Sequence, residues 1–308
     1  MLKEALYNGK ILLFGEYGII QDSMGLSIPY DIYKGSLKFD KSNKEAKSST
    51  ESLIKFRNYL KNDIELSSIL DVDQFSIDLD SGMFFDSSIP QGYGVGSSGA
   101  IVAAIYDGYA IDKIKADENP NNQNLITLKR VFGLMESFFH GKSSGLDPLI
   151  CYLNLPILIR SKEEMRTVGL PQENNGKGAI FLLNTGIKGK TQPLVTHFME
   201  RCKEEGFRKM LKSEFKKYND AAIESFLNKD FSPLLSNVKQ LSRVVLDHFK
   251  PMIPKVFQKL WKEGLDSNLY YLKLCGSGGG GFILGFTEDF EKAQDHLKDY
   301  ELSKIYMF

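Results

Sequence analysis

Between positions 90 and 100 the chain reads Pro90-Gln91-Gly92-Tyr93-Gly94-Val95-Gly96-Ser97-Ser98-Gly99-Ala100, and a helical apolar pattern starts at Ser97. Glycines let a backbone turn with positive φ and approach a ligand closely. A helix N-terminus adds N–H groups and a partial positive charge, which together bind phosphate. Ser97 and Ser98 offer hydroxyls that can cap the helix or hold Mg2+. The segment lacks the Gly-Lys-Ser/Thr of a Walker A loop and is not a Rossmann GxGxxG after a strand. Its plainer reading is a glycine-rich turn with a serine cap. A second run, Cys275-Gly276-Ser277-Gly278-Gly279-Gly280-Gly281, lies between two apolar stretches. It holds far more glycine than a structural turn needs and suits a ligand or another segment lying against bare backbone; a flexible loop is the alternative.

Two further segments bring charge. Lys10 opens the apolar run Ile11-Leu12-Leu13-Phe14, and Glu16 leaves it. Either alone reads as solvated surface; together they fit the edge of a cleft. Glu136 and His140 are four apart and so share one helix face, and the short stretch from Gly141 to Gly145 then delivers Asp147. Two carboxylates beside a phosphate-binding helix can divide the labour, one on a metal and one taking a proton. His140 has no second metal ligand at a suitable spacing and reads as a helix-end residue.

The elements that position these groups follow from periodicity. Ile11–Phe14 reads as a buried strand ending at Gly15. Residues 41–51 are polar and read as a surface loop. The alternation from Gln74 to Asp80 suggests a half-buried strand. Ile101, Ala104, Ile105 and Tyr109 share one helical face, and Asp117–Asn122 breaks that helix. Leu128, Val131, Phe132, Met135 and Phe139 line a second helix that should stop at His140-Gly141. Strand-like pieces cover 149–160 and 178–184, with a linker at Pro171–Gly176 between them. Beyond it the chain is helical to about 265, then strand, glycine run, strand, helix and strand. Helices and strands mix without a βαβ rhythm, so the class is α+β, with domains at 1–174 and 175–308.

Composition bounds the partners. The chain has 308 residues, 42% of them apolar, with 39 lysines and arginines against 39 aspartates and glutamates. Zero formal net charge gives no reason to expect nucleic acid or an anionic membrane as partner. Cys151, Cys202 and Cys275 are odd in number and lack zinc spacing, so they read as reduced, semi-buried thiols. The start, Met1-Leu2-Lys3-Glu4, has no signal-peptide core, and no run approaches about 20 apolar residues. A cytoplasmic globular protein is expected.

Taken in order, these segments resemble the GHMP kinases: galactokinase, homoserine kinase, mevalonate kinase, phosphomevalonate kinase and relatives. Asn8–Tyr17 is similar to their first motif, Pro90–Ala100 to the P-x-x-x-G-L-G-S-S-A-A phosphate loop, and Gly276–Gly281 to the glycine-rich third motif. Within the family, His140–Asp147 is most similar to the H-G-x-P-S-G-I-D segment of mevalonate kinases, and Leu183–Thr191 to their N-T-x-x-x-x-x-T stretch. Homoserine kinases lack the acid at the position of Asp147, and the galactokinase sugar segment is not found. This chain departs from the pattern in carrying Asn8 before Gly9-Lys10, Tyr17 after Glu16, Gly99 in place of an alanine, and Pro148 after Asp147.

The resemblance implies a two-domain architecture, a ribosomal protein S5 domain 2-like N-terminal domain and a ferredoxin-like C-terminal domain. It implies a kinase using ATP and Mg2+ to phosphorylate the hydroxyl of mevalonate or a related compound in isoprenoid biosynthesis. Asp147 would take the hydroxyl proton, and Lys10 beside it would keep it ionised and stabilise the transferring phosphoryl group. Gly92, Gly94, Gly96, Ser97, Ser98, Gly99, Glu16, Gly278 and Gly279 would bind the nucleotide, with Ser98 and Glu136 on Mg2+. Phosphoryl transfer needs positioning and charge neutralisation above all, which agrees. Other readings are a phosphomevalonate kinase, a diphosphomevalonate decarboxylase and a non-catalytic nucleotide or metabolite sensor. A homodimer is left open as the assembly.

Overall fold

The computed structural model describes residues 5–43, 46–116, 120–161 and 163–308, and the backbone but not the side chain of His140. In chain order the elements begin with β1 (Tyr7–Phe14), β2 (Gly25–Phe39), α1 (Lys47–Asn62), α2 (Ile64–Ile69), α3 (Val72–Asp80), β3 (Met83–Ser87), α4 (Ser97–Tyr109), α5 (Asn122–His140) and α6 (Leu146–Leu153). There follow β4 (Ile157–Ile159), β5 (Met165–Thr167), β6 (Ala179–Asn184), α7 (Thr191–Arg201), α8 (Glu205–Met210), α9 (Lys216–Leu227), α10 (Phe231–His248), α11 (Lys255–Ser267), β7 (Tyr271–Leu274), β8 (Phe282–Thr287), α12 (Phe290–His296) and β9 (Leu302–Met307). A π-helical turn, Leu211–Phe215, joins α8 to α9.

These elements form two compact units that interleave along the chain. The first holds 1–10, 28–91 and 95–155, and the second 11–27, 92–94 and 156–308. β1 and β2 each contribute residues to both, and the loop residues Gly92–Gly94 belong to the second. The expected division at 174/175 falls inside the second unit, in the irregular stretch between β5 and β6.

In the first unit the end of β2 pairs antiparallel with β3, Gly35 opposite Ser87 and Phe39 opposite Met83. α4 packs on both α5 and α6. Its small residues Gly99, Ala100, Ala103 and Ala104 are buried along with Val102, Ile105, Tyr106 and Tyr109, so it is covered nearly all round. Such a helix is a fixed post, and its N-terminus inherits that rigidity.

In the second unit the start of β2 pairs with β4, and β4 with β5. A four-stranded antiparallel sheet has the order β7-β8-β6-β9. With helices after β6 and between β8 and β9 this is the β-α-β-β-α-β arrangement of ferredoxin-like folds. α10 and α11 cover β7, and Trp261, Tyr270, Phe181 and Phe249 are fully buried in the core.

Several sequence expectations need correction. Gln74–Asp80 is helix, not strand: the Asp71 carboxylate accepts from the Gln74 N–H, and Val72, Phe75 and Leu79 are the buried positions. Residues 47–51 open α1: Lys47, Ser48 and Glu51 are exposed, while the hydroxyls of Ser49 and Thr50 donate to the Phe85 and Met83 carbonyls of β3; 44–45 lie outside the described residues. The stretch 149–160 is strand only at Ile157–Ile159, since Leu149–Leu153 complete α6 and Asn154 stops it with φ 54°. α4 ends at Tyr109, before the expected breaker, and 117–119 lie outside the described residues. The α5 terminus is as read, with Gly141 at φ 73°.

Candidate active site

The N-terminus of α4 is made by Gly96, whose φ of 86° is left-handed and leaves no side chain to cap the helix. The first intrahelical bond runs from the Ala100 N–H to the Gly96 carbonyl. The N–H groups of Ser97, Ser98 and Gly99 precede it, and no acid occupies the first turn. That is the geometry in which a helix end accepts an anion.

Lys10 is fixed to this loop. Its N–H donates to the Val95 carbonyl at 3.0 Å, and its stem crosses Gly96 so closely that a β-carbon there would lie 2.9 Å from Lys10 Cγ. Glycine at 96 is therefore required twice, by φ and by the lysine. Lys10 Nζ then meets Asp147 Oδ1 at 2.8 Å, the lysine side chain 3% exposed and the aspartate 39%. The ammonium is buried, and the carboxylate stays partly exposed.

Asp147 sits in the first turn of α6. Pro148, next in line, is tolerated because a first-turn residue needs no intrahelical N–H bond. Gly99 and Pro148, two of the four departures from the family pattern, belong together: a β-carbon on Gly99 would lie 2.9 Å from Pro148 N and 2.8 Å from Asp147 C. Gly99 thus serves the approach of α6 to α4.

Glu136, on α5, is 4% exposed. Its Oε1 accepts from Ser98 Oγ at 2.9 Å and its Oε2 from Ser143 Oγ at 2.5 Å. Burial, with the negative charge of Asp147 second, pushes its pKa up to about 7, against the hydroxyls of Ser143 and Ser98 and the charge of Lys10. An oxygen-only pair of one carboxylate and one hydroxyl suits Mg2+, which takes one or two protein oxygens and fills its shell with phosphate and water. Among the described residues no group of three or more His, Cys, Asp and Glu could hold a metal, so a cation at this pair would need further oxygens from outside the protein.

The structure thus brings Lys10, Asp147, Glu136, Ser98, Ser97, Gly96 and Gly99 together in the first unit. The remaining candidates lie in the second. The Gly92 carbonyl accepts from the Gly189 N–H at 2.9 Å, and Gly94 packs on the Cys275 carbonyl. The Gly279 N–H donates to the Met252 carbonyl at 2.6 Å, and Gly278 lies against the same carbonyl. Glu16 is buried and ion-paired with Lys273, itself 1% exposed and 5.6 Å from the Phe14 ring. Tyr17, which departs from the family pattern, turns its ring onto Phe198 and donates its hydroxyl to the Ser277 carbonyl at 2.7 Å. All three cysteines are buried, and none of them is in a disulfide.

Sequence reasoning missed Ser143 and Lys273. A lysine inside the apolar run Leu272–Leu274 was a readable sign of a buried partner. Nothing in spacing alone distinguished Ser143 from Ser144.

No protein-family model and no curated protein matches the sequence. Solved structures do match. A mevalonate kinase of Methanococcus jannaschii superposes with a TM-score of 0.60 at 17% identity, covering 99% of this chain and 98% of that one. Streptococcus pneumoniae phosphomevalonate kinase, solved with phosphomevalonate and AMPPNP, gives 0.63 at 13% identity, covering 99% and 100%. Lactococcus lactis galactokinase complexed with galactose gives 0.64 at 12%, covering 98% and 92%. Three kinases with different acceptors score alike, so the likeness speaks for the fold and leaves the acceptor open. No helix among the described residues is long and apolar enough to cross a membrane. The chain has the α+β fold of the GHMP kinases.

Proposed function

We propose that the protein is a Mg-ATP-dependent kinase that phosphorylates the hydroxyl of a small molecule, with mevalonate the leading acceptor. The observation that carries this reading is the Lys10–Asp147 pair, 2.8 Å apart, with Lys10 held on the loop that opens α4. The mevalonate assignment is supported by the similarity of His140–Asp147 to the mevalonate kinase segment.

Asp147 accepts the proton of the acceptor hydroxyl through the carboxylate oxygen not taken by Lys10, as the hydroxyl oxygen bonds to the γ-phosphorus and ADP leaves. Lys10 stabilises negative charge on the transferring group. The N–H groups at Ser97–Gly99 hold the phosphates in place. Ser98 and Glu136 would hold Mg2+, which when bound neutralises charge on the β- and γ-phosphates. Positioning and charge neutralisation carry most of the rate in such reactions.

The test is ADP release from Mg-ATP across mevalonate, phosphomevalonate, homoserine and galactose, with CO2 release from diphosphomevalonate measured alongside. Turnover of mevalonate without CO2 is expected. Nucleotide binding with no turnover of any acceptor would make the protein a sensor and overturn the reading.

A further inference from the structure

The short loop between α5 and α6 carries a group that neither the spacing nor the family resemblance singles out. In the mevalonate kinase segment H-G-x-P-S-G-I-D the fourth position is proline; here it is Ser143. Proline has no hydroxyl. Ser143 has one, and its Oγ accepts from the Gly145 N–H at 3.1 Å. Its single hydroxyl hydrogen goes to Glu136 Oε2. The backbone of Ser143 is tied down as well, its N–H donating to Ser137 Oγ at 3.3 Å, while Ser137 Oγ donates to the Gly133 carbonyl at 2.6 Å. Ser143 is therefore a fixed donor, anchored to the same helix that carries the carboxylate it grips.

We propose that Ser143 is a positioning residue for this site, holding Glu136 by Oε2 so that Oε1, the oxygen on Ser98, is the one offered to a divalent cation. The inference rests on the proposed Mg-ATP reading of the site. Its physical basis is the contrast between the two oxygens. The Ser98 hydroxyl stands at the N-terminus of α4, where a nucleotide's phosphates are expected, and can exchange its hydrogen bond to Glu136 for a place beside Glu136 on the cation. The Ser143 hydroxyl comes from the opposite segment and stays. A carboxylate held by one oxygen keeps its plane and direction; freed, it turns about its last torsion, a broad and shallow rotor. Partners that orient a metal ligand from behind are commonly worth about 10- to 100-fold in metal affinity.

The experiment is Mn2+ binding, followed by the electron paramagnetic resonance of free Mn2+, to the full chain with AMPPNP, with melting temperature measured on every variant. Ser143→Ala is expected to keep its melting temperature within a few degrees and to weaken Mn2+ binding about 10-fold, and Ser143→Thr, which keeps the hydroxyl, to recover most of that loss. Wild-type Mn2+ affinity in Ser143→Ala, or equal weakening in the alanine and threonine variants, overturns the inference. Glu136→Gln separates the two levels of the argument. If it binds Mn2+ as wild type does, the metal reading of the site fails; if it weakens binding while Ser143→Ala does not, only the role of Ser143 falls.

Discussion

A β-carbon placed on Gly99 would lie 2.8 Å from the carbonyl carbon of Asp147 and 3.1 Å from its carbonyl oxygen. Both are backbone atoms of a helix whose next residue is proline, so neither can turn aside. The glycine that departs from the family's Ala-Ala pattern is thus what lets α6 bring Asp147 to Lys10 at its observed distance.

Gly99→Ala should therefore act on Asp147, the proposed base, from the far side of the backbone. Overpacking of this kind costs about 1–3 kcal/mol of stability, and a displacement of about 1 Å at a reacting group can cost about 100-fold in rate. The variant should melt a few degrees lower and lose kcat far more than it loses nucleotide affinity. Unchanged kcat in Gly99→Ala would mean that α6 absorbs the shift without moving Asp147.

Glu136 gives the apoprotein a pH dependence with a definite sign. Its carboxyl titrates near 7 in the folded protein, above its ordinary value of 4.5, chiefly through burial and the nearby Asp147. The neutral form is thus favoured by folding. The corresponding stability is fully present below the unfolded pKa and is lost as pH rises through about 7. Glu136→Gln keeps the shape without the charge. Its stability advantage over wild type, without divalent metal, should grow by about 2 kcal/mol between pH 5.5 and 8.5. Melting curves at the two pH values check this, and a constant difference would contradict it.

Lys273 and Glu16 form a pair 1% and 4% exposed in the second unit. Burial lowers the pKa of Lys273, and the charge of Glu16 raises it. Removing one member leaves an uncompensated buried charge, at about 3–5 kcal/mol. Lys273→Met alone should destabilise more than the double variant Glu16→Gln, Lys273→Met. Denaturant unfolding of the three proteins tests the order. A double variant worse than the single one would mean that the pair holds the structure by itself.

Much of this was legible beforehand for reasons specific to each element. Gly96-Ser97 could be read as a helix start and Gly141 as a helix stop because glycine at those positions answers a backbone demand. The strand Ile11–Phe14 was plain because it is apolar throughout. Gln74–Asp80 misled because Phe75, Ile77 and Leu79 alternate; only the 58% exposure of Ile77 shows that the alternation is accidental and that Val72, Phe75 and Leu79 form the true face. In the site, residue types were readable but partners were not. Lys10 and Asp147 are 137 positions apart, and Ser143 is distinguished from Ser144 only by where its hydroxyl points. Such facts belong to tertiary packing, which a single sequence does not state.

The most direct measurement is single-turnover phosphoryl transfer from Mg-ATP by Asp147→Asn, beside the affinity of the same variant for AMPPNP. Asparagine keeps the shape and cannot take the proton. The expected result is a loss of about 10³-fold in rate with nucleotide affinity within a few-fold of wild type. Full turnover by Asp147→Asn would contradict the account, because the carboxylate beside Lys10 would then not be the base.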